Sequence, residues 1–368
     1  MNIPSWTYKF DLEIHRNEYI DCINEVFDSG RLLFGKQLDN FEKSFSEYIG
    51  TKYAVGCDNG TNAIFLGLKA LNIGKGDKVI TVPNTAIPTV SAICQAGAQP
   101  VFVDVNDSSL IDVNKIEEKI DSQTKAIIPV HLYGLPCDME RICSIAKKYK
   151  IHILEDCSQA HGTKFKGQKV GSFGEISTFS FYPTKSLGSF GDAGMICTSC
   201  EKINELIRKL RFYGIESDYV ASIEGYNSRM DEIQAAILNK KLKRLEDNIK
   251  HRGDIYKMYL DGFNSELLKP IKIPLNARPS HYLLPFIFRG DRDLFVKELN
   301  KKNIGVNISY KTPIHIMPAY RFLGYSYGQF KNAEYYCKHN ISFPIFDNIP
   351  KSMVLNIIEI VNSILQNK

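Results

Sequence analysis

Short apolar runs alternate with longer stretches of helical periodicity over the first two thirds of the chain. The runs are rich in β-branched and aromatic residues and are bounded by Gly, Pro, Asn or Asp, which is typical of buried strands. The predicted strands are residues 53–57, 77–82, 99–104, 125–132, 151–156, 177–181 and 195–198. Stretches with a helical period include residues 62–71, 114–120 and 139–149. This alternation predicts an α/β fold, in which a mostly parallel seven-stranded sheet is sandwiched by helices.

The pattern changes beyond residue 228. A long amphipathic helical pattern covers residues 229 to about 263, and we expect a connecting helix there. Predicted strands follow at residues 282–288 and 306–309, and predicted helices at 291–302, 332–339 and 351–366. We therefore predict a large α/β domain over residues 1–250 and a smaller C-terminal α+β domain over residues 251–368.

The composition is that of an ordinary globular protein. The 368 residues are 44% hydrophobic and 24% charged, so the chain can bury a large core. Its 46 basic and 41 acidic side chains are spread along the whole length, and the formal net charge of +5 is too weak and too mixed to indicate a nucleic-acid partner. The sequence contains no long uncharged apolar run and does not begin like a secretory signal, so we expect no membrane association and a cytoplasmic location.

Cysteine usage agrees with a reducing compartment. The nine cysteines are an odd number scattered over predicted strands and helices, so we expect reduced thiols rather than a disulfide framework. Cys197 and Cys200 have CxxC spacing, but no second pair and no histidine cluster accompany them. We therefore expect no metal site.

The chemistry suggested by the sequence centres on Lys185. This lysine ends the run Ser180-Phe181-Tyr182-Pro183-Thr184-Lys185, about thirty residues after Asp156, which closes a predicted strand. A lysine on a turn, together with a carboxylate at a strand end, is expected where the lysine forms a Schiff base and the carboxylate holds a pyridinium nitrogen. The pair therefore points to pyridoxal 5′-phosphate (PLP).

Three further elements fit the same cofactor. Gly60 and Thr61 begin a predicted helix directly after a strand, where backbone N–H groups can bind a phosphate. Gln159 follows Asp156 closely enough to reach the phenolic oxygen or the ring face, and Ser180 opens the lysine run. Each alone also fits a helix cap, a surface amide or a solvated lysine. Their occurrence in one order favours the cofactor.

Longer motifs lie along nearly the whole chain. They include Leu33-Phe34-Gly35, Gly97-Ala98-Gln99-Pro100-Val101-Phe102-Val103-Asp104, Val130-His131-Leu132-Tyr133-Gly134, Gly225-Tyr226-Asn227-Ser228-Arg229-Met230-Asp231-Glu232-Ile233-Gln234-Ala235-Ala236 and Pro313-Ile314-His315-Ile316-Met317-Pro318-Ala319-Tyr320. With the residues above, they resemble the DegT/StrS-type sugar aminotransferase family, within the aspartate-aminotransferase superfamily of PLP fold type I.

The resemblance implies a role for each cofactor residue. Lys185 would form the Schiff base and then act as the base that moves a proton in the amine transfer. Asp156 would hold the pyridine nitrogen and Gln159 the phenolic oxygen. The residues expected at the phosphate are Gly60, Thr61 and Ser180, with Asn227 reaching across from a second subunit. An active site shared in this way implies a homodimer.

Two positions depart from the family pattern. The family usually places an aromatic ring over the cofactor within the segment that is 85–89 here, and this chain has Ala86 at that position. Stacking would then come from His161 or Tyr133, or be missing. The second departure is Ser309-Tyr310, where a His-Tyr pair is common near the substrate. These departures affect the substrate details and leave the predicted class of enzyme unchanged.

Four residues are candidates for contact with the substrate. His131 lies at a predicted strand end, and a histidine there is also a common hydrogen-bonded core residue. His315 and Tyr320 belong to the motif that resembles the substrate loop of the family, and Tyr310 belongs to the altered pair. Aromatic residues around Tyr320 could cover a sugar nucleotide or simply pack a loop.

The resemblance implies a transaminase that moves an amino group from L-glutamate to a nucleotide-linked keto-deoxysugar in glycan or secondary-metabolite biosynthesis. Residues 210–214 and 313–320 resemble the branch that aminates C3, so a dTDP-3-keto-6-deoxyhexose is the first candidate acceptor. C4-keto UDP- or dTDP-sugars come second and a small phosphorylated ketone third.

Three other classes of protein fit the sequence less well. A sugar dehydratase of the same fold would have a histidine in place of Lys185. A regulatory protein on this scaffold would not need Lys185, Asp156 and Gln159 together. An NAD-dependent enzyme would need a GxGxxG motif after the first strand, and that motif does not occur there.

Overall fold

The structure is a computed structural model that describes residues 2–366. Its strands are β1 (Tyr53–Cys57), β2 (Lys78–Thr81), β3 (Gln99–Phe102), β4 (Thr124–Ile127), β5 (His152–Asp156), β6 (Lys164–Phe165), β7 (Gln168–Lys169), β8 (Ile176–Ser180), β9 (Gly194–Thr198), β10 (Ile215–Ser217), β11 (Val220–Ala221), β12 (Leu268–Pro270), β13 (Ala277–Arg278), β14 (Pro285–Phe288) and β15 (Asn340–Ser342). The α-helices are α1 (Lys9–Ser29), α2 (Lys36–Ile49), α3 (Gly60–Ala70), α4 (Ile87–Gln95), α5 (Met139–Tyr149), α6 (Glu201–Leu210), α7 (Glu232–Leu242), α8 (Leu245–Gly262), α9 (Arg292–Lys301), α10 (Lys331–His339) and α11 (Lys351–Gln366).

Seven strands form the central sheet in the order β1-β9-β8-β5-β4-β2-β3. Neighbours from β8 to β3 are parallel, whereas β9 is antiparallel to both β8 and β1. The predicted mostly parallel seven-stranded sheet is thus confirmed. Because a parallel sheet carries helices on its faces, its strands are buried almost throughout, which explains the continuous apolar runs.

A second hydrophobic core lies outside the sheet. It joins the apolar faces of α8, α9 and α11 to the small sheet β12-β14-β15, with Phe286, Phe343 and Val354 among its buried members. Ile3 also packs in this core, and its backbone pairs with Asn303 and Gly305. The N-terminal segment therefore belongs to the packing of the C-terminal part, and the division at residues 250 and 251 stays a prediction.

Several predicted elements differ from the structure, and the strand predicted over residues 125–132 ends at Ile127. Residues 114–120 form two 3₁₀ turns, Val113–Lys115 and Glu117–Lys119, because so short a segment gains little from propagating an α-helix. Residues 306–309 contribute one isolated bridge, between Asn307 and Ser342, instead of a strand. The strand predicted over 282–288 begins only at Pro285.

The long helix predicted over residues 229–263 is two helices. α7 begins at Glu232 because Asp231 has extended backbone angles, and α8 begins after Arg244. Arg244 is held at this break by Glu18 and by the hydroxyl of Tyr19, at 2.6 and 2.9 Å from its guanidinium nitrogens. Anchoring to α1 therefore fixes the bend. Within residues 2–366, no helix combines the length and the hydropathy needed to cross a bilayer.

Candidate functional site

A cavity of about 240 Å³ opens at the carboxyl ends of the central strands, and we call it the strand-end cavity. Its wall includes Gly60 after β1, Asp156 at the end of β5, and Ser180 at the end of β8, with Lys185 in the following loop. Ligands of open α/β sheets bind at this edge. The structure therefore brings together residues that are more than a hundred positions apart in the chain.

Asp156 lies at the bottom of this cavity with only 4% of its surface exposed. Its Oδ2 accepts a hydrogen bond of 2.8 Å from Thr89 Oγ1, and its Oδ1 accepts one of 3.1 Å from the backbone N–H of Ser158. Among the described residues, no cationic side chain forms an ion pair with it. A buried carboxylate needs a positively charged partner, and a protonated ring nitrogen meets that need.

Gln159 is fixed from both ends of its amide. Its Oε1 accepts a 2.8 Å hydrogen bond from the backbone N–H of Tyr133, and its Nε2 donates a 2.6 Å bond to the hydroxyl of Tyr310. An amide nitrogen carries two hydrogens, so one remains for a group in the cavity. This arrangement suits an oxygen acceptor such as the phenolic oxygen of PLP.

The start of α3 forms an anion cradle. Asn59 caps this helix, since its side chain accepts a 2.8 Å hydrogen bond from the N–H of Asn62. Gly60 lets the chain pass close to β8, because a Cβ at Gly60 would lie 2.7 Å from Cβ of Ser180. The first turn has no acidic residue, so the partial positive charge of the helix start is left for a ligand. Gly60, Thr61 and Ser180 therefore fit a phosphate group.

Lys185 lies in the loop between β8 and β9, half-buried at the cavity wall. Its Nζ is 4.9 Å from the ring centre of Tyr282, and it has no carboxylate partner among the described residues. The loop is tight, because a Cβ at Gly188 would lie 2.4 Å from the carbonyl oxygen of Pro183. An unpaired, partly shielded amine facing the cavity is what a Schiff-base lysine requires.

The walls beside the ring position are aliphatic. Ala86, Pro88 and Val130 line the cavity, and the aromatic residue of its described lining is Tyr182. His161 and Tyr133, the two residues expected to stack on the cofactor in place of an aromatic residue at position 86, are not part of that lining. Tyr133 is buried and donates its hydroxyl to the carbonyl of Ser309 at 2.6 Å.

His161 is fully buried between Phe179 and Phe181, with ring centres 5.6 and 5.5 Å away. Burial lowers the pKa of His161 to about 3, and the charge of Lys185 acts in the same direction. Its neutral ring therefore packs in the core beneath the loop of Lys185 instead of covering the ligand.

His131 is fully buried in a closed hydrogen-bond network. Its Nδ1 accepts a 3.0 Å bond from the N–H of Cys137, and its Nε2 lies 3.1 Å from Glu155. Glu155 also accepts bonds from three backbone N–H groups of residues 171–174. His131, Glu155 and Cys157 come within 4.8 Å of one another, but this network already uses the carboxylate and both ring nitrogens. The cluster therefore serves the fold.

The remaining substrate candidates lie at different places. His315 is buried and contacts Glu334 at 3.0 Å, so it does not reach the strand-end cavity. Tyr320 is buried against the large core. Tyr310 is adjacent to the site through its bond to Gln159, and burial raises its pKa well above the usual value.

Asn227 is exposed and pairs with Phe212 away from this cavity, so its predicted role across a dimer stays a prediction.

Reasoning from the sequence missed several residues of the site. Thr89 orients Asp156 from the first turn of α4, and Tyr282 comes from a segment nearly a hundred residues after Lys185. A signal existed for Thr89, because it ends the segment 85–89 that was already expected near the ring. No comparable pattern marks Tyr282.

Fold and site together define an enzyme that uses PLP. The residues fit each part of the cofactor, with Asp156 for the ring nitrogen, Gln159 for the phenolic oxygen, the start of α3 for the phosphate, and Lys185 for the aldehyde.

Comparison with known proteins gives the family. The DegT/DnrJ/EryC1/StrS aminotransferase family model matches residues 13–362. The dTDP-3-amino-3,4,6-trideoxy-alpha-D-glucose transaminase of Micromonospora megalomicea subsp. nigra is 37% identical over 366 residues, covering 98% of each chain. The dTDP-3-amino-3,6-dideoxy-alpha-D-galactopyranose transaminase of Aneurinibacillus thermoaerophilus is 40% identical over 352 residues, covering 95% of each chain. The crystal structure of S. venezuelae DesV in complex with a ketimine intermediate has a TM-score of 0.96 and 34% identity, covering 99% of each chain.

The chain therefore belongs to the DegT/DnrJ/EryC1/StrS aminotransferase family. The family resemblance, the PLP cofactor and the predicted class of enzyme, a PLP-dependent sugar-nucleotide transaminase, are confirmed.

Proposed function

We propose that the protein transfers the amino group of L-glutamate to the ketone of a nucleotide-linked keto-deoxysugar, with a dTDP-3-keto-6-deoxyhexose as the first candidate. The relatives named for dTDP-3-amino sugars support this acceptor. The donor's amino group and Cα hydrogen are exchanged for the ketone oxygen, so glutamate becomes 2-oxoglutarate without an external oxidant or reductant. The setting would be glycan or secondary-metabolite biosynthesis.

The observation that carries the proposal is the unpaired amine of Lys185 beside a buried carboxylate in one cavity. PLP, when bound, supplies the electron sink that makes the Cα–H bond of the donor acidic. Lys185 Nζ would hold the aldehyde and, once the donor's amino group has displaced it, the freed amine would take up the proton from Cα. Asp156 would hold the ring nitrogen in its protonated form, and Thr89 and Ser158 keep the carboxylate in place.

We further propose a homodimer in which Asn227 of each subunit completes the phosphate site of the other. The supporting observation is that Asn227 is exposed, so a second subunit can reach it. The cytoplasm is the proposed compartment, which the nine free cysteines support.

The test is amine transfer with mass detection. Purified protein with PLP and L-glutamate is offered 3-keto and 4-keto 6-deoxyhexoses linked to dTDP or UDP. We expect an amino sugar from the dTDP-3-keto compound, none from Lys185→Ala, and normal turnover from the control Lys148→Ala, which alters an exposed lysine paired with Glu117. Amination of the 4-keto sugars alone would show that the acceptor is a C4-keto sugar nucleotide and not the dTDP-3-keto-6-deoxyhexose. Bound cofactor without any product would support a non-transaminating or regulatory role.

A further inference from the structure

A second cavity also borders Lys185. It has a volume of about 340 Å³ and lies between the N-terminal segment, the loop of Lys185, α7 and α8, and we call it the N-terminal cavity. Lys185 is the residue that its lining shares with the strand-end cavity. The volume falls in the range of about 300–1,000 Å³ usual for small-molecule sites. A molecule in the N-terminal cavity would therefore lie against the side chain of Lys185.

The charged groups of this cavity are already neutralised in pairs. Lys241 lies 3.6 Å from Asp11 and donates a 2.9 Å hydrogen bond to the carbonyl of Gly188. Arg252 forms an ion pair of 2.8 Å with Asp347. An amino acid with two carboxylates would need free cations at both ends. Beyond Lys185 itself, the described lining offers no unpaired cation, so the wall is better suited to an uncharged polar group.

Aromatic rings form the apolar part of the wall. Trp6 and Tyr8 have ring centres 5.8 Å apart, and Tyr8 and Phe190 are 6.4 Å apart. Large rings bury apolar C–H surface, and carboxylates such as Asp347 accept hydrogen bonds from hydroxyl groups. A deoxyhexose has both surfaces, because its ring has C–H faces and its edge carries hydroxyls.

We propose that the N-terminal cavity receives the deoxyhexose ring of the acceptor and places its ketone carbon next to Lys185. This inference rests on the proposed function, and it assigns the sugar to Trp6, Tyr8 and Phe190.

Trp6 makes the proposal testable without turnover, because it is the single tryptophan of the chain. Its emission is recorded while the holoenzyme is titrated with dTDP-D-glucose, which has a hexose ring and no ketone. The matching titrations use dTDP alone, UDP-D-glucose and UDP. We expect a saturable change with a hexose-linked nucleotide and a much smaller change with the corresponding free nucleotide.

Two variants locate the effect. Phe190→Ala and Tyr8→Ala should each raise the dissociation constant of the hexose-linked nucleotide about tenfold, because each loses a stacking face. Tyr149→Ala, which removes a partly exposed ring at the end of α5, should leave it unchanged. In turnover, Tyr8→Ala should raise the KM for the keto-sugar by a similar factor and leave the KM for glutamate within about twofold.

The outcomes separate this inference from the proposed function. Equal emission changes with free nucleotide and hexose-linked nucleotide would overturn it. Amination of a keto-sugar without any emission response would refute the sugar site in the N-terminal cavity, while the proposed transaminase activity would stand. An emission response to dTDP-D-glucose in a protein that aminates none of the keto-sugars tested would support the sugar site and refute the proposed amine transfer.

Discussion

Replacing Asp156 by asparagine should nearly abolish amine transfer while leaving the fold intact. Asparagine has the same shape, and its oxygen can still accept the hydrogen bond from the N–H of Ser158. Its NH₂ group can donate to Thr89 Oγ1. The hydroxyl of Thr89 can then turn its own hydrogen towards the hydroxyl of Thr85, to which it is already hydrogen-bonded. The local hydrogen bonds are therefore largely conserved, and the variant should unfold within a few degrees of the wild type.

The catalytic loss follows from the burial of the site. Asp156 is 4% exposed, so its charge is poorly screened by water. Removing one partner of a buried ion pair costs about 3–5 kcal/mol. At about 1.4 kcal/mol for each factor of ten, kcat/KM should fall by roughly a hundredfold to several thousandfold.

The assay is the initial rate of 2-oxoglutarate formation from glutamate with the aminated sugar as the second product. Asp107→Asn is the matched control, because it removes a carboxylate from an exposed ion pair with Lys272 and should retain the wild-type rate. An Asp156→Asn enzyme that retains its cofactor and the full rate would refute the assignment of the ring nitrogen to Asp156.

Three further predictions concern the scaffold. Glu232→Ala should lower the free energy of unfolding in urea by about 2–4 kcal/mol, because three backbone N–H groups at the start of α2 lose their acceptor. The control Glu224→Ala, which alters an exposed side chain, should leave that free energy unchanged. Equal stability of the two variants would contradict the capping of α2 by Glu232. Gly60→Ala should weaken PLP retention in dialysis, because its Cβ would displace Ser180; undiminished retention would argue against the cradle. Burial lowers the pKa of His161 to about 3 in the folded protein, below its value in the unfolded chain. The free energy of unfolding should therefore decrease as the pH falls from about 6.5 towards 3, by up to about 1.4 kcal/mol per pH unit. His161→Leu should flatten that slope.

The sequence pattern was sufficient for the sheet, and it also indicated which predicted site residues lie at one edge of that sheet. Asp156 and Ser180 end two parallel strands that are neighbours, and Gly60 follows a third strand of the same direction, so strand prediction alone placed them at one edge. Lys185 was predicted from its place on a turn about thirty residues after Asp156.

Other features depended on contacts that no local pattern records. The pairing of His131 with Glu155 and of His315 with Glu334 inside the core is one such contact. The break between α7 and α8 depended on the anchoring of Arg244 by α1, more than two hundred residues earlier. The N-terminal segment carries no strand or helix signal around Trp6, and its place beside Lys185 became visible only in the folded chain.

The central claim is that Lys185 binds the cofactor covalently, and borohydride reduction tests it most directly. The yellow holoenzyme is reduced and digested, and the cofactor-bearing peptide is sequenced by mass spectrometry. The site predicts the label on Lys185 alone, with loss of the yellow colour. A label on Lys241, whose pKa is lowered by burial in the neighbouring cavity, or no label on any lysine, would contradict it.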